Sequence, residues 1–309
     1  MFRKRIVPFL FLLIIFSAAK SQVRIHQNID ENWKFHLGNA SDPLKDFNYG
    51  IANIYKKSGE AGNTPINPKF NDSAWRNLDL PHDWVVELPF VNSANYDVLA
   101  HGYKPVGGLF PETSIGWYRK KFFVEKGDTS KKISIQFDGI YRNASIWLNG
   151  FFIGHNKSGY IGVEYDISDF VKYGEENTLV VRVDATQYEG WFYEGAGIYR
   201  HVWLNKTSDL HINSDKLFIH SKQSGRIAKI TSEIPVVNDQ DTFTNGYAYT
   251  YITTRDDKKI AASKTTNFAL SSFGNSRLRH RYHAAKLQYG CQPLAICSTC
   301  LGVGILRFL

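Results

Sequence analysis

A period of two residues in the apolar side chains constrains this chain more than any other feature. Four short runs in the 309-residue sequence carry it, at residues 132–137, 144–150, 178–183 and 201–204. Alternation places successive side chains on opposite faces of a strand, and amphipathic helical repeats are scarce here. Short strands with turn signals such as Asn149-Gly150 between them predict an antiparallel β-sandwich. We expect its core to contain the following residues: Leu148, Val181, Val183 and Leu204.

A second set of alternating runs follows the short polar segment 204–210. Residues 227–234 and 246–254 alternate again, and Tyr247, Tyr249 and Tyr251 share one strand face. These runs predict a second, smaller sandwich, in which later strands are expected to cover the tyrosine-bearing face.

The pattern changes near Ser276. Residues 276–309 contain no acidic residue and no clear periodicity, and they end in the apolar segment 301–309. Arginines at positions 277, 279 and 281 would make any strand there cationic on one face, so we expect an aberrant tail without a native fold. The predicted organisation is therefore a signal segment at 1–21, a sandwich at 22–206, a partial sandwich at 207–275 and the tail at 276–309.

The amino terminus has the composition of an export signal. Three bases at residues 3–5 precede the apolar run 6–16, and small residues follow, with cleavage expected near Ala19 or Ser21. An uncleaved membrane anchor is the alternative, but 11 apolar residues are fewer than the about 20 that span a bilayer. We expect a secreted or periplasmic protein with no stable membrane insertion after cleavage.

The net charge of +8 comes from the two ends of the chain. Residues 1–20 and 276–309 hold four and five of the 37 bases and none of the 29 acids, which leaves 28 bases against 29 acids between them. Nucleic-acid binding needs a basic folded face. The near-neutral central part therefore argues against a nucleic-acid partner.

Cysteine usage argues against structural disulfides and against a metal site. All three cysteines, Cys291, Cys297 and Cys300, lie in the last 20 residues. The pair at 297 and 300 has the spacing of half a zinc site, but no second pair follows it. We expect no metal and no cofactor.

Four segments in one order resemble a known family: 70–84, 116–124, 137–160 and 194–204. They are similar to the amino-terminal sugar-binding domain of glycoside hydrolase family 2, the β-galactosidase and β-glucuronidase group. The resemblance extends over about residues 24–204, and residues 208–275 resemble the start of that family's second domain. It implies an all-β fold, a jelly-roll-type galactose-binding-like β-sandwich followed by an incomplete immunoglobulin-like β-sandwich.

Two of these segments also have a structural interpretation of their own. In the Pro-His-Asp-Trp segment at 81–84, His82 and Asp83 can bond neighbouring backbone and Trp84 can anchor the corner in the core. In the strand at 116–124, Trp117 and Arg119 are expected to share one face.

The resemblance also implies where a sugar binds. In the family, loops of this first domain shape the sugar subsite at the mouth of a catalytic barrel, and aromatic faces with a nearby carboxylate suit a sugar ring. The ligand implied is a β-galactoside or a related glycan, and an alternative is that the aromatic cluster packs between domains. The candidate sugar-binding residues are His101, Tyr103, Glu189, Trp191, Tyr193 and Glu194.

Catalysis is expected to lie outside this chain. Retaining glycosidases use two carboxylates, which the family carries in a barrel domain of about 250 residues. The sequence has no Asp or Glu after Asp257, so we expect no catalytic residue here and a non-catalytic front part of the hydrolase. A stand-alone carbohydrate-binding module is the alternative function. A general-acid pair of Asp138 and Glu164 is a further alternative, which the strand positions disfavour.

Overall fold

The computed structural model describes residues 24–49, 62–88, 91–92, 99–100, 112–186, 194–213, 216–224, 227–253, 260–285 and 301–307. Within these ranges the chain forms strands and a few 3₁₀ turns, such as those at Trp84–Glu87 and Lys126–Asp128. The expected all-β fold is confirmed. No helix in this part of the chain is long and apolar enough to cross a membrane.

The first sandwich consists of two antiparallel sheets. Its strands are β1 (Arg24–Asn28), β2 (Trp33–Leu37), β3 (Arg76–Leu78), β6 (Ile115–Val124), β7 (Lys131–Phe137), β8 (Ala144–Leu148), β9 (Phe151–Asn156), β10 (Val163–Asp166), β11 (Glu175–Asp184) and β12 (Val202–Ser208). The sheet orders are β1-β12-β7-β10 and β3-β2-β6-β11-β8-β9. A short separate pair is formed by β4 (Val91–Asn92) and β5 (Leu99–Ala100).

The inner faces of these two sheets enclose the main core. All four residues that the alternation assigned to the core, Leu148, Val181, Val183 and Leu204, are buried in this one cluster. In β7, the side chains at 133, 135 and 137 point inward and the intervening ones are partly exposed. The period-two prediction is therefore confirmed for the strands on which it rested.

The six-stranded sheet is buried on its outer face as well. Trp117 and Trp147 pack there in a second cluster, which includes residues from the segments 38–49 and 62–75. Trp117 and Arg119 share this face, as the sequence predicted, and the Arg119 guanidinium donates to the Asp72 carboxylate over 2.8 Å. Burial on two faces explains why all five residues of β8 are buried although the sequence alternates.

The second sandwich follows directly, since β12 ends at Ser208 and the next strand begins at Leu210. Its strands are β13 (Leu210–Ile212), β14 (Phe218–Ser224), β15 (Ile227–Asn238), β16 (Thr244–Thr253), β17 (Ile260–Leu270), β18 (Asn275–Ala285) and β19 (Leu301–Arg307). One sheet has β15 between β18 on one edge and β13 and β14 on the other; the second has the order β17-β16-β19. Ile234, Val236 and Phe268 are among the core residues between the two sheets.

The structure differs from the sequence prediction at residue 276. The predicted boundary falls inside β18, which pairs with β15 from Asn275 to Ala285, and residues 301–307 pair with β16 as β19. The alternating arginines at 277, 279 and 281 are exposed, whereas His280 is buried and hydrogen-bonded to two threonine hydroxyls. A basic residue at every second position is thus the polar half of a strand pattern, not a break in it.

The tyrosines of β16 lie on the outer face of their sheet, whereas the sequence predicted that later strands would cover the tyrosine-bearing face. Ala248 and Thr250 are fully buried against the core, while Tyr247, Tyr249 and Tyr251 lie partly exposed on the other face. The small inward side chains leave room for the large ones of β17 and β18, such as Phe268 and Tyr282. Later strands therefore extend this sheet and do not cover its tyrosines.

Candidate functional site

The Pro-His-Asp-Trp corner is joined to the Gly-Ala-Gly-Ile-Tyr-Arg segment by backbone hydrogen bonds. The amides of His82 and Trp84 donate to the carbonyls of Ile198 and Ala196 over 2.8 and 3.1 Å. Asp83 Oδ1 accepts from the amides of Val85 and Ala196 over 3.0 and 2.9 Å. The predicted structural role of this corner is confirmed, because its carboxylate satisfies turn amides on both segments.

Trp84 connects the corner to a third segment. Its ring is buried and its indole Nε1 donates to the Thr113 carbonyl over 2.7 Å. The next residue, Ser114, accepts through its carbonyl from the Ala185 amide over 2.9 Å. Residues 112–114 follow the stretch that holds His101 and Tyr103, and residues 184–186 precede the stretch that holds Glu189. The described ends of both candidate stretches therefore lie side by side.

The turn after β7 completes this end of the sandwich. Tyr141 and Gly197 exchange two backbone hydrogen bonds of 2.8 and 2.7 Å. The Tyr141 ring contacts the Tyr160 ring edge-on, with centroids 5.5 Å apart, and the Arg142 guanidinium lies 6.0 Å from the Tyr141 centroid. We call the five segments 82–84, 112–114, 141–142, 184–186 and 194–197 the loop end.

Glu194 supplies a carboxylate at the loop end. It is partly buried, and its negative charge acts on the Tyr141 hydroxyl. Burial raises the pKa of Tyr141, and the hydrogen bond that its neutral hydroxyl donates to Tyr160 and the negative charge of Glu194 raise it further. Tyr141 is therefore a neutral hydroxyl at every physiological pH. A carboxylate, a neutral phenol and a guanidinium so placed can accept from and donate to the hydroxyls of one polar ligand.

The structure describes one of the six candidate sugar-binding residues, Glu194. The other five, His101, Tyr103, Glu189, Trp191 and Tyr193, lie outside the described residues, and their assignment stays a prediction. Tyr141 was missed as a neighbour of Glu194, and so were Arg142 and Tyr160, which contact the Tyr141 ring. All three lie within the segment 137–160 that carries the resemblance, but the approach of Tyr141 to Glu194 depends on the antiparallel bridge at Gly197 and leaves no local pattern.

The alternative pair Asp138 and Glu164 lies on the outer face of the four-stranded sheet. Asp138 accepts from Trp203 Nε1 over 2.8 Å and from Gln136 Nε2 over 2.9 Å. Glu164 accepts from Asn205 Nδ2 over 3.0 Å and from the Ser134 hydroxyl. These carboxylates hold neighbouring side chains of the sheet surface in place, and the contacts support a structural role. In the described part of the chain, no three His, Cys, Asp or Glu residues are grouped to hold a metal ion.

His82 lies buried behind the corner. Its Nδ1 is 2.8 Å from the Tyr118 hydroxyl, and its Nε2 is 3.3 Å from Glu87, which also pairs with Arg76. Burial lowers the pKa of His82, and the Glu87 charge only partly opposes this. The folded protein therefore holds His82 neutral below the pH at which an exposed histidine takes up a proton.

This burial predicts a dependence of stability on acid. As pH falls through about 6.5, the unfolded chain protonates His82 before the folded chain does, so the free energy of unfolding decreases. Chemical denaturation at pH 7.5 and 5.5 should show a smaller decrease for His82→Gln, which keeps a polar group near Tyr118. His220→Gln, at an exposed position of β14, is the control. Equal decreases in wild type and His82→Gln would contradict the prediction.

Comparison with known proteins decides the family. Residues 68–208 match the model of the glycosyl hydrolases family 2 sugar-binding domain. These residues are a family 2 sugar-binding domain. The match includes the 70–84, 116–124, 137–160 and 194–204 segments, so the resemblance is confirmed. Family 2 relatives share the β-sandwich at their amino terminus.

Curated relatives of this family extend the match. The chain is 32% identical over 255 residues to beta-galactosidase BoGH2A of Bacteroides ovatus, covering 82% of this chain and 26% of that protein. It is 28% identical over 274 residues to a beta-glucuronidase of Formosa agariphila, covering 82% of this chain and 25% of that protein. The chain thus spans about a quarter of the length of these two relatives.

A solved structure shows the same fold. A family 2 member from Bacteroides cellulosilyticus superposes with a TM-score of 0.66 at 29% identity, covering 85% of this chain and 32% of that one. A coverage of 85% extends beyond the first sandwich. The family 2 domain and part of the second sandwich therefore both have counterparts in that structure.

Proposed function

We propose that this chain is the amino-terminal, non-catalytic part of a family 2 glycoside hydrolase and that its loop end binds a β-galactoside or a related glycan. The observation that carries the proposal is the convergence of the described ends of both candidate stretches beside Glu194. Ser114 bonds Ala185, and Trp84 bonds both Thr113 and Ala196. The described residues that flank the two candidate stretches thereby lie together at one end of the first sandwich.

The chemistry of the described groups supports a sugar ligand. Glu194 offers acceptor oxygens for sugar hydroxyls, and the neutral Tyr141 hydroxyl can donate or accept. Aromatic rings beside such groups suit the apolar faces of a pyranose. The described groups include both the Glu194 carboxylate and the Arg142 guanidinium, so titration with a neutral and with an anionic sugar distinguishes which of the two charges governs binding.

Hydrolysis of O-glycosyl bonds is assigned, in this proposal, to the remainder of a longer enzyme. The named relatives are a beta-galactosidase and a beta-glucuronidase, and this chain matches about a quarter of each. We also propose export through a signal at residues 1–21, on the strength of the bases at 3–5 and the apolar run at 6–16. A secreted or periplasmic location gives access to extracellular glycans.

Substitution of Glu194 tests the proposal. Glu194→Gln keeps the shape but removes the charge that strengthens hydrogen bonds to sugar hydroxyls, so methyl β-galactoside should bind about tenfold more weakly. Calorimetric titration of the full chain with methyl β-galactoside and methyl β-glucuronide measures the effect.

The matched control is Glu176→Gln. Glu176 is an exposed residue near the opposite end of β11, where it pairs with Lys121. This variant should bind like wild type. Binding that is unchanged in Glu194→Gln, or absent with both sugars in wild type, would overturn the assignment of the loop end as the sugar site.

A further inference from the structure

The outer face of the β17-β16-β19 sheet carries a row of three tyrosines. Tyr247, Tyr249 and Tyr251 alternate with the buried Ala248 and Thr250 along β16. The rings of Tyr249 and Tyr251 are nearly parallel, at 15°, with centroids 6.3 Å apart. Residues two apart in a strand repeat every ~6.8 Å. The rings therefore follow each other at the strand spacing, in the central strand of the sheet.

The strands on both sides keep this row accessible. In β17, exposed Ser263, Thr265 and Asn267 lie opposite the three tyrosines, and register partners share a face. In β19, the residues opposite Tyr251 and Tyr249 are Gly302 and Gly304, which have no side chain, and the residue opposite Tyr247 is Leu306. We call the following set the tyrosine face: Tyr247, Tyr249, Tyr251, Ser263, Thr265, Asn267, Gly302 and Gly304.

Charge separates this face from the opposite side of the same sandwich. The tyrosine face contains no Asp, Glu, Lys, Arg or His residue. The outer face of the β14-β15-β18 sheet, in contrast, carries five basic residues around the single carboxylate of Glu233, which pairs with two of them. Those five basic residues are Lys222, Lys229, Arg277, Arg279 and Arg281. A polyanion would be attracted to that basic face. The tyrosine face has no acidic or basic side chain, so it complements an uncharged ligand.

We propose that the tyrosine face is a second carbohydrate-binding site, which binds an extended, uncharged glycan chain lying along β16. Aromatic rings at a regular spacing pack against the apolar parts of successive sugar residues. The hydroxyls and the amide of β17 donate to and accept from sugar hydroxyls beside them. The glycines of β19 let the chain approach the sheet closely. This site belongs to the second sandwich and does not depend on the loop end.

The proposal predicts a specific pattern among ring variants. Affinity electrophoresis of the full chain through gels containing hydroxyethyl cellulose or galactomannan should show retardation. Tyr249→Ala should reduce the affinity about tenfold, since it removes the central ring. Tyr249→Phe keeps the ring and should retain most of the retardation. Phe218→Ala removes an exposed aromatic residue from the other sheet and should have no effect.

Three further measurements test whether the tyrosine face itself binds the glycan. Circular dichroism and thermal unfolding must show that Tyr249→Ala folds. If it does not fold, Ser263→Arg and Thr265→Arg, at exposed positions of the edge strand β17, replace it and should also abolish retardation.

Glu194→Gln should leave polysaccharide retardation unchanged, which distinguishes this site from the loop end. Absence of retardation in wild type, equal retardation in Tyr249→Ala, retardation only by dextran sulfate or DNA, or a dimer that Tyr249→Ala dissociates would each overturn the proposal.

Discussion

Asp46→Ala should lower the free energy of unfolding by about 3–5 kcal/mol, because it leaves a buried guanidinium without its main partner. Asp46 is 3% exposed, and its Oδ2 lies 2.7 Å from Arg182 Nη2. Its other oxygen accepts from Trp117 Nε1 over 2.7 Å. Replacement by alanine therefore leaves three donor atoms without this acceptor: Trp117 Nε1, Arg182 Nε and Arg182 Nη2. Equilibrium denaturation with urea measures the loss.

Two companion variants identify the cause of this loss. Lys45→Ala removes an exposed partner of a 3.9 Å ion pair on the same segment and should change stability by less than about 0.5 kcal/mol. Adding Arg182→Met to Asp46→Ala removes the stranded charge and should recover part of the loss. A double variant that is less stable than Asp46→Ala would show that lost packing, and not an unpaired charge, dominates.

The same pair connects stability to the loop end. Arg182 Nη1 lies 3.3 Å from Asp184 Oδ2, and Asp184 Oδ1 accepts from the amide and hydroxyl of Thr186 over 3.2 and 2.6 Å. Thr186 is the last described residue before the stretch that holds Glu189, Trp191 and Tyr193. The buried carboxylate of Asp46 thus fixes, through Arg182 and Asp184, the start of a proposed sugar-binding stretch.

The sequence predicted the strands whose two faces differ. In β7 the inner side chains are apolar and the outer ones polar, so alternation alone identified the core side. In β8 the same rule assigned Leu148 to the core but gave no reason for burying Trp147. That burial depends on the segments 38–49 and 62–75, which cover the outer face and have no strand or helix period of their own. The sequence pattern of a strand cannot predict that an irregular segment from elsewhere in the chain buries its outer face.

Residues 276–285 belong to a strand that the sequence pattern failed to predict. Their arginines occupy the exposed face of β18, and Glu233 on the neighbouring strand pairs with Arg279 over 2.6 Å. A run without acids looked unlike a folded segment, because its neutralising acid lies 46 positions earlier in the sequence. Likewise, Glu194 approaches Tyr141 only through pairing of distant segments. Strand type follows from local alternation, whereas partners across sheets do not.

Gly197→Ala should destabilise the first sandwich by about 4 kcal/mol, through strain added to overpacking. Gly197 has a φ of +128°, a conformation that residues with a Cβ rarely adopt. An added Cβ would lie 2.5 Å from the His82 carbonyl oxygen and would also collide with the Tyr118 hydroxyl. Both neighbours are buried, and one is backbone, so neither can move away without breaking the corner's hydrogen bonds.

The variant should also affect ligand binding beyond its effect on stability. Gly197 exchanges two backbone bonds with Tyr141 and follows the segment that holds Glu194, so a shift there displaces both groups of the proposed sugar site. Urea denaturation gives the stability loss, and calorimetry with methyl β-galactoside at about 10 °C, on protein verified as folded, gives the affinity. Gly127→Ala is the matched control, since an added Cβ there meets no atom within 4 Å. If Gly197→Ala is as stable as Gly127→Ala, the residues around Gly197 accommodate the added Cβ, and the predicted destabilisation is wrong. If it is destabilised yet binds sugar like wild type, the ligand does not bind at the loop end.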